Sequence, residues 1–481
     1  MEEIKKLDLV LEPNQRPKNI VQWTVLSFQH VFAMFGATVL VPIIINSLSE
    51  KGEVINISMA LFCSGVGTLI YIALTMAKVP IYLGSSFAYM TVLGVGWNQW
   101  GNSIFIAIFV VGMVYIFMGF LIHWTGVQWI KKAFSPIVVG PIIITIGLSA
   151  VPSALENIGF VAKNNAWGNY PQWLAILIGV LTFLVAAICM LKAKSFVKVI
   201  PILIALSIGY LVCIILHFSL AKTNWTILNT QDISNPSNWE WYPSFKKIWD
   251  VNPNTIGPAL VAIVPISLVT MVEHLGDHIN IGTMTGRDFI KNPGISRTLM
   301  ADGVAMSFAG LIGGPANATY GENTSVVGLT KVASVWVTGL AAIFAIIMSF
   351  IAPINEVIKM IPVPVMGGIS LMLFGMIASN GIKIMIDAKV DLNDAKNLVV
   401  ISVILAIGIG MSIMKEDIII GSFHITGLFL ATFSGVILNL LLPKHDNAGI
   451  LTIFHGLKTK KKNENVKNIE LKEKKAKKSD K

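Results

Sequence analysis

The chain has 481 residues, 54% of them hydrophobic and only 13% charged, with a formal net charge of +10 and a mean hydropathy of +0.72. Ordinary soluble domains carry about 25% charged residues, so this composition excludes a water-soluble globule and requires a bilayer as solvent. The positive balance is no nucleic-acid footprint, because eleven Lys against four acidic residues fall in the tail His455–Lys481, which reads as a solvated, disordered cytoplasmic segment with a modest attraction to anionic headgroups.

Residues 1–20 are polar and mixed in charge, and no short apolar core with a small-residue cleavage site follows them, so they read as a cytoplasmic segment rather than a cleavable signal. A membrane helix needs about 20 mainly apolar residues. Apolar runs follow at about 21–46, 55–76, 103–124, 133–151, 172–191, 199–217, 257–282, 298–314, 333–352, 362–380, 397–413 and 424–442. Two further stretches, 81–97 and 317–330, are short and rich in Gly, Ser, Thr or Asn. In lipid every backbone polar group needs an internal partner, so such broken segments persist only inside protein or beside a watery cavity. With both counted as half-spans the chain crosses fourteen times. The membrane domain then covers 21–442, with repeats at about 21–217 and 257–442 around an extracellular loop at 218–256, and a basic cytoplasmic tail at 443–481.

Loop charges orient the spans. With the N-terminus inside, the cytoplasmic loops hold Lys78, Lys131, Lys132, Lys192, Lys194, Lys198, Arg287, Lys291, Arg297, Lys331, Lys383, Lys389 and Lys396. The opposite loops hold Lys51, Lys163, Lys222, Lys246, Lys247, Lys359 and Lys415, three of them in the long loop where the rule weakens. Both termini are expected in the cytoplasm. Cys63, Cys189 and Cys213 lie in apolar runs without metal or disulfide spacing and read as inert packing.

A repeat is visible between the halves. Gln29-His30 matches Glu273-His274, the turn Gly84-Ser85-Ser86-Phe87 matches Thr319-Tyr320-Gly321-Glu322, and Pro136 to Gly140 matches Pro364 to Gly368, at similar offsets and in consistent order. Seven spans per repeat, an odd number, invert the second half relative to the first. Broken segments at corresponding positions are the best pointer to a binding site in such folds.

A charged side chain at the bilayer centre costs at least a few kcal/mol and needs a partner, a cavity or a function. Most Asp and Glu are expected in loops or tails; the exceptions are Glu273, Asp277 and Glu322, with His30, His274 and His278 near the same features. Glu273 and Asp277 share one helix face at i, i+4. Two carboxylates that close in a low-dielectric site do not both ionise readily, which suits a proton held and released near neutral pH. The plainer reading, a polar network tying helices together, is preferred for His274 and His278. Glu322 follows Gly321, where a half-helix begins and its free N–H groups and positive dipole end point into the cavity. Phe87 stands in the matching turn and offers an N–H and a flat ring. Two carboxylate acceptors, two backbone donors and an aromatic face fit a pyrimidine-dione; xanthine presents a similar edge.

Together these stretches resemble the nucleobase–ascorbate transporter family (nucleobase:cation symporter-2), within it the branch of bacterial uracil permeases. The residues that carry the resemblance are Gln29 to Pro42 (QHVFAMFGATVLVP), Tyr82 to Ala88, Glu273 to Gly276, Thr319 to Asn323 and Ile361 to Gly368. The resemblance implies an all-α polytopic protein of fourteen segments in two inverted seven-segment repeats, split into core and gate domains, with short strands in segments 3 and 10 and substrate between them. It implies proton symport, a homodimer, and uracil as substrate, with a xanthine or urate permease of the same family as the alternative. Carried over residue by residue, it makes Glu273 and Glu322 the substrate carboxylates and Phe87 and Gly321 the backbone donors, preceded by Tyr320. The proton-coupling set is Glu273, Asp277 and His30, and the family signature adds Asn323, Thr330 and Lys331. The chain departs from the pattern at Ser325, where Gly is usual and the backbone angle comes into question. It departs again at Asp277, a His in some uracil permeases, and at Phe374, a Tyr in close relatives.

An anion exchanger on the same architecture does not expect two ligand-facing carboxylates, and a membrane enzyme expects a nucleophile–base pair or metal motif that the sequence lacks. No cofactor is expected beyond the proton as coupling ion. The expected partners are a small nucleobase and membrane lipid, with no nucleic acid.

Overall fold

The computed structural model describes residues 8–126, 128, 135–161, 167, 169–194, 197, 200–220, 225–228, 239–246, 248–414, 418–420 and 423–442. The basic tail and much of the 218–256 loop lie outside the described residues. The first half runs α1 (Ile20–Ser47), α2 (Ile57–Leu74), β1 (Leu83–Ser85), a 3-10 turn (Phe87–Tyr89), α3 (Met90–Trp100), α4 (Ser103–Thr125), α5 (Pro136–Ile158), α6 (Gln172–Lys192) and α7 (Pro201–Ser219). The second runs α8 (Pro253–Ile263), α9 (Ile266–Thr285), a π-turn (Ile290–Gly294), α10 (Ile295–Ile312), β2 (Asn317–Thr319), α11 (Gly321–Thr330), α12 (Val335–Met348), α13 (Ala352–Lys359), α14 (Val363–Asp387), α15 (Ala395–Met414), β3 (Ile418–Ile420), β4 (Phe423–Ile425) and α16 (Gly427–Leu441).

Among the described residues nine helices are long and apolar enough to cross a membrane, or up to eleven if each of two bent pairs is one span. The bent pairs are α8 with α9, at 41°, and α12 with α13, at 78°. Pro265 precedes α9 and Pro353 stands in the first turn of α13, and a proline ends the helix before it by removing a donor and crowding the preceding turn. The single span expected at 257–282 is therefore broken, and the run expected at 333–352 turns at its end into α13. The run expected to end at 151 continues to Ile158, where Gly159 at φ +98° closes the helix in the left-handed region. The β3–β4 hairpin, with Ile418 opposite Ile425, is an element the apolar pattern does not announce.

Packing repeats between the halves. α4 lies on α10 and α8, while α2 lies on α12 and α10, and α1 lies on α12. In a second group α5 lies on α14 and α15, α6 on α14 and α7, and α15 on α16. Small residues let the backbones approach. A Cβ at Gly112 of α4 would stand 2.4 Å from the Gly303 carbonyl, and one at Gly381 of α14 would stand 2.4 Å from the Gly140 carbonyl.

The N-terminal segment joins one end of this assembly. The Val10 N–H donates to the Lys331 carbonyl at 2.8 Å, the Ala333 N–H to the Leu11 carbonyl at 2.9 Å, and Arg287 pairs with Glu12 at 3.2 Å. Lys78 also reaches Asn292 on that face at 2.8 Å. At the opposite end Lys359 gathers Glu240 at 3.5 Å, Glu356 at 3.7 Å and Glu53 at 3.9 Å.

Candidate functional site

The two broken segments meet. β1 and β2 pair antiparallel, with Leu83 opposite Thr319, Gly84 opposite Ala318 and Ser85 opposite Asn317. Strands this short are tolerated at membrane depth because each supplies the other's backbone partners inside the bundle. From each strand a half-helix starts. Phe87 opens the 3-10 turn that leads into α3, and Gly321 opens α11 with Tyr320 as its N-cap. Two N-terminal ends therefore leave the strand pair, each carrying unpaired N–H groups and a positive dipole end.

Tyr320 locks the pair. Its hydroxyl donates to the Ser85 carbonyl at 2.9 Å and accepts from Thr38 at 3.3 Å. Its ring crosses Gly84, where a Cβ would stand 2.2 Å from the ring carbon, so only glycine fits. The Phe87 ring lies parallel to that of Tyr320, at 4° with centroids 6.4 Å apart. Tyr320 thus spends its polar end within the protein and packs its buried ring over Gly84.

α9 brings the acids to this turn. Asp277 accepts a hydrogen bond from the Thr319 hydroxyl, and its other oxygen lies 4.0 Å from where a Cβ would stand on Gly321. Glu273 is exposed to open space, whereas Asp277 and Glu322 are half-buried. The three carboxylates lie within electrostatic reach of one another. Phe87, Glu273, Asp277, Tyr320, Gly321 and Glu322 therefore gather around one junction. The Ser86 hydroxyl and the Asn323 side-chain oxygen, flanking the two turns, are buried with no partner among the described residues.

His30 and Asn323 form a tie between α1 and α11. The Asn323 amide donates to the His30 carbonyl at 3.1 Å and lies 3.2 Å from the ring, with each side chain 1% exposed. Thr330 and Lys331 stand at the other end of α11. Thr330 donates to the Val326 carbonyl at 2.8 Å, and Lys331 ends the helix at φ +59°. Ser325 has ordinary helical backbone and returns its hydroxyl to the Gly321 carbonyl at 2.9 Å, which answers the question its substitution for Gly raises. Phe374 is fully buried in α14.

One expectation needs correction. Asp302 falls in the run expected at 298–314 and belongs with the intramembrane acids Glu273, Asp277 and Glu322; it lies in α10 and is fully buried. It meets His274 Nδ1 at 2.9 Å, while His274 Nε2 meets Thr298 at 3.1 Å. His278 continues the network to the Tyr71 hydroxyl at 2.6 Å, with the two imidazoles stacked at 4.1 Å. Both histidines lie in a polar network that joins α2, α9 and α10. The i, i+4 spacing of Thr298 and Asp302 inside an apolar run was the available signal. A second buried cluster, Tyr89, Tyr115 and Thr270, gave none, since each residue type is ordinary in a membrane helix.

The uracil permease of Bacillus caldolyticus is 37% identical over 440 residues, covering 91% of this chain and 96% of that protein. The uracil permease of Escherichia coli K12 is 35% identical over 432 residues, covering 89% and 92%. The transmembrane domain of the cyanobacterial bicarbonate transporter BicA shares the fold at a TM-score of 0.57 and 14% identity, covering 89% of this chain and 99% of that one. Residues 21–416 match the family model Xan_ur_permease, described as "Permease family". The chain, a multi-pass membrane protein, belongs to that permease family.

Proposed function

We propose that this protein is a uracil:proton symporter that takes up uracil across the cytoplasmic membrane. The observation that carries the reading is the meeting of Asp277 of α9 and of Glu322 with two half-helix starts at a paired-strand junction, with Glu273 one turn away on the same side of α9 and the parallel rings of Phe87 and Tyr320 beside them. Uracil has two ring N–H donors and two carbonyl acceptors on a flat ring. In this reading Glu273 and Glu322 accept from the ring N–H groups, while the backbone N–H groups of Phe87 and Gly321 donate to the carbonyls. The two relatives named uracil permease, aligned over most of the chain, favour uracil over xanthine or urate.

Uracil is uncharged, so accumulation requires a coupling ion. A carboxylate that exchanges a proton beside the substrate supplies one, and Glu273 and Asp277, with His30 behind α11, are the groups placed for it. The nine long helices, two bent pairs, the shorter apolar α16 and two strand-plus-half-helix segments support fourteen segments. The reciprocal packing supports two inverted repeats. The group built on α1, α2, α4, α10 and α12 is read as the core domain, and that built on α5–α7 and α14–α16 as the gate. Lys78, Arg287, Lys291 and Lys331 share the face of the N-terminal segment, which supports a cytoplasmic N-terminus. The family resemblance supports a homodimer.

Replacing Glu322 by Ala removes a charged acceptor worth about 1.5–3 kcal/mol, so uracil binding to the purified protein should weaken by more than about tenfold in calorimetry. An unchanged dissociation constant contradicts the assignment, and a wild-type protein that prefers xanthine to uracil contradicts the substrate.

A further inference from the structure

We propose that Thr270 is a positioning residue for the substrate site, bracing Glu273 against the Phe87 turn through Tyr89 and Tyr115. The inference rests on the function proposed above. Thr270 lies on α9 and is 2% exposed; Tyr89 and Tyr115 are fully buried. The Tyr115 hydroxyl, on α4, donates to Thr270 Oγ1 at 2.6 Å. The Tyr89 hydroxyl, at the end of the 3-10 turn that Phe87 opens, lies 3.2 Å from the same oxygen. The Ser267 and Ile266 carbonyls, 3.2 and 3.5 Å from Thr270 Oγ1, can accept its proton, which leaves the oxygen open to donation from Tyr89. A threonine hydroxyl has one donor and two acceptor sites, and this arrangement uses all three.

Glu273 follows Thr270 by three residues and therefore lies one turn along the same side of α9. Tyr89 follows Phe87 by two. The Thr270 oxygen thus connects the helix that carries the acidic acceptor to the turn that carries the backbone donor. Farther along α9, Asp277 binds Thr319 and connects the same helix to the other strand. Glu273 sits between the two connections, which fix its height and rotation relative to both half-helix starts. A ligand held from two sides requires acceptor and donor to keep their spacing, and a 1 Å displacement is enough to lose much of a site's effect.

Removing the Thr270 hydroxyl leaves two buried tyrosine hydroxyls without this partner, and a buried donor left unpaired is unfavourable enough to shift the elements that carry it. The test is calorimetric titration of uracil into the purified full-length chain. Thr270→Val should weaken uracil binding about tenfold, and Thr270→Ser, which restores the oxygen, should return it to within about twofold of wild type. Tyr89→Phe and Tyr115→Phe, which delete one hydroxyl each and keep the ring, should each weaken binding about three- to tenfold; they carry the test if Thr270→Val does not fold. Binding unchanged in Thr270→Val, equal weakening in Ser and Val, or wild-type affinity in both Phe variants would overturn the brace. A wild-type chain that binds no uracil overturns the underlying reading and the brace with it, whereas wild-type binding with unaffected variants overturns the brace alone.

Discussion

Asp277 shows how one side chain is divided between structure and chemistry. One oxygen holds the Thr319 hydroxyl and the other looks toward Gly321. An amide at this position keeps the acceptor for Thr319 but cannot titrate. Asp277→Asn should therefore leave the protein folded and shift the pH dependence of uracil uptake, measured as initial rate across acidic to alkaline external pH; an identical profile would leave Asp277 a structural tie. Glu273, Asp277 and Glu322 were legible in the sequence because acids in apolar runs are expensive and each adjoined a Gly- or His-containing motif. Asp302, an acid beside Gly303 in the run at 298–314, carries the same signal; what the sequence does not show is its partner, His274 on another helix. The Tyr89–Thr270–Tyr115 cluster escaped because its meaning lies in geometry between elements, not in residue type.

Helices in lipid gain little from hydrophobic burial against one another, so close backbone packing decides their neighbours. A Cβ at Gly112 would meet Ser307 Oγ at 2.2 Å and the Gly303 carbonyl at 2.4 Å, whereas a Cβ at Gly375 on α14 meets nothing within 4 Å. Gly112→Ala should overpack the α4–α10 contact and destabilise the protein by about 1–3 kcal/mol. Gly375→Ala should stay within about 1 kcal/mol of wild type, with alanine the better helix former. Thermal melting of the purified variants in detergent checks both, and equal melting temperatures would refute the packing argument. Most spans could be read from the sequence because apolar length is a strong signal. The breaks before α9 and α13 could have been read from Pro265 and Pro353, but a proline inside a membrane run is also tolerated unbroken, as α1 does at Pro42 and α5 at Pro141 and Pro152. The β3–β4 pair joins Ile418–Ile420 to Phe423–Ile425, apolar stretches too short for a hydropathy reading to separate from a helix end.

At the scale of the molecule, the two halves place matching motifs at one junction. Gln29-His30 and Glu273-His274 stand on α1 and α9, and the two broken turns face each other through β1 and β2. His30 ties α1 to the second broken segment through Asn323, and Thr270 ties α9 to the first through Tyr89. A helix pinned to the opposite half's turn in each case is a reciprocal arrangement suited to one substrate held at the centre. The sequence offsets revealed the matching motifs but not these cross-ties, because the offsets give correspondence and not contact.

In the proposed mechanism a proton and uracil share the Glu273 site. Reconstituted vesicles loaded at neutral pH and diluted into acidic buffer test it, with radiolabelled uracil followed over time and a Glu273→Gln variant beside the wild type. Wild-type vesicles should accumulate uracil above equilibration, lose that accumulation on addition of a protonophore, and outperform Glu273→Gln vesicles, which should not accumulate it. Accumulation by the Gln variant equal to wild type, or wild-type uptake that ignores the pH gradient, would contradict the account.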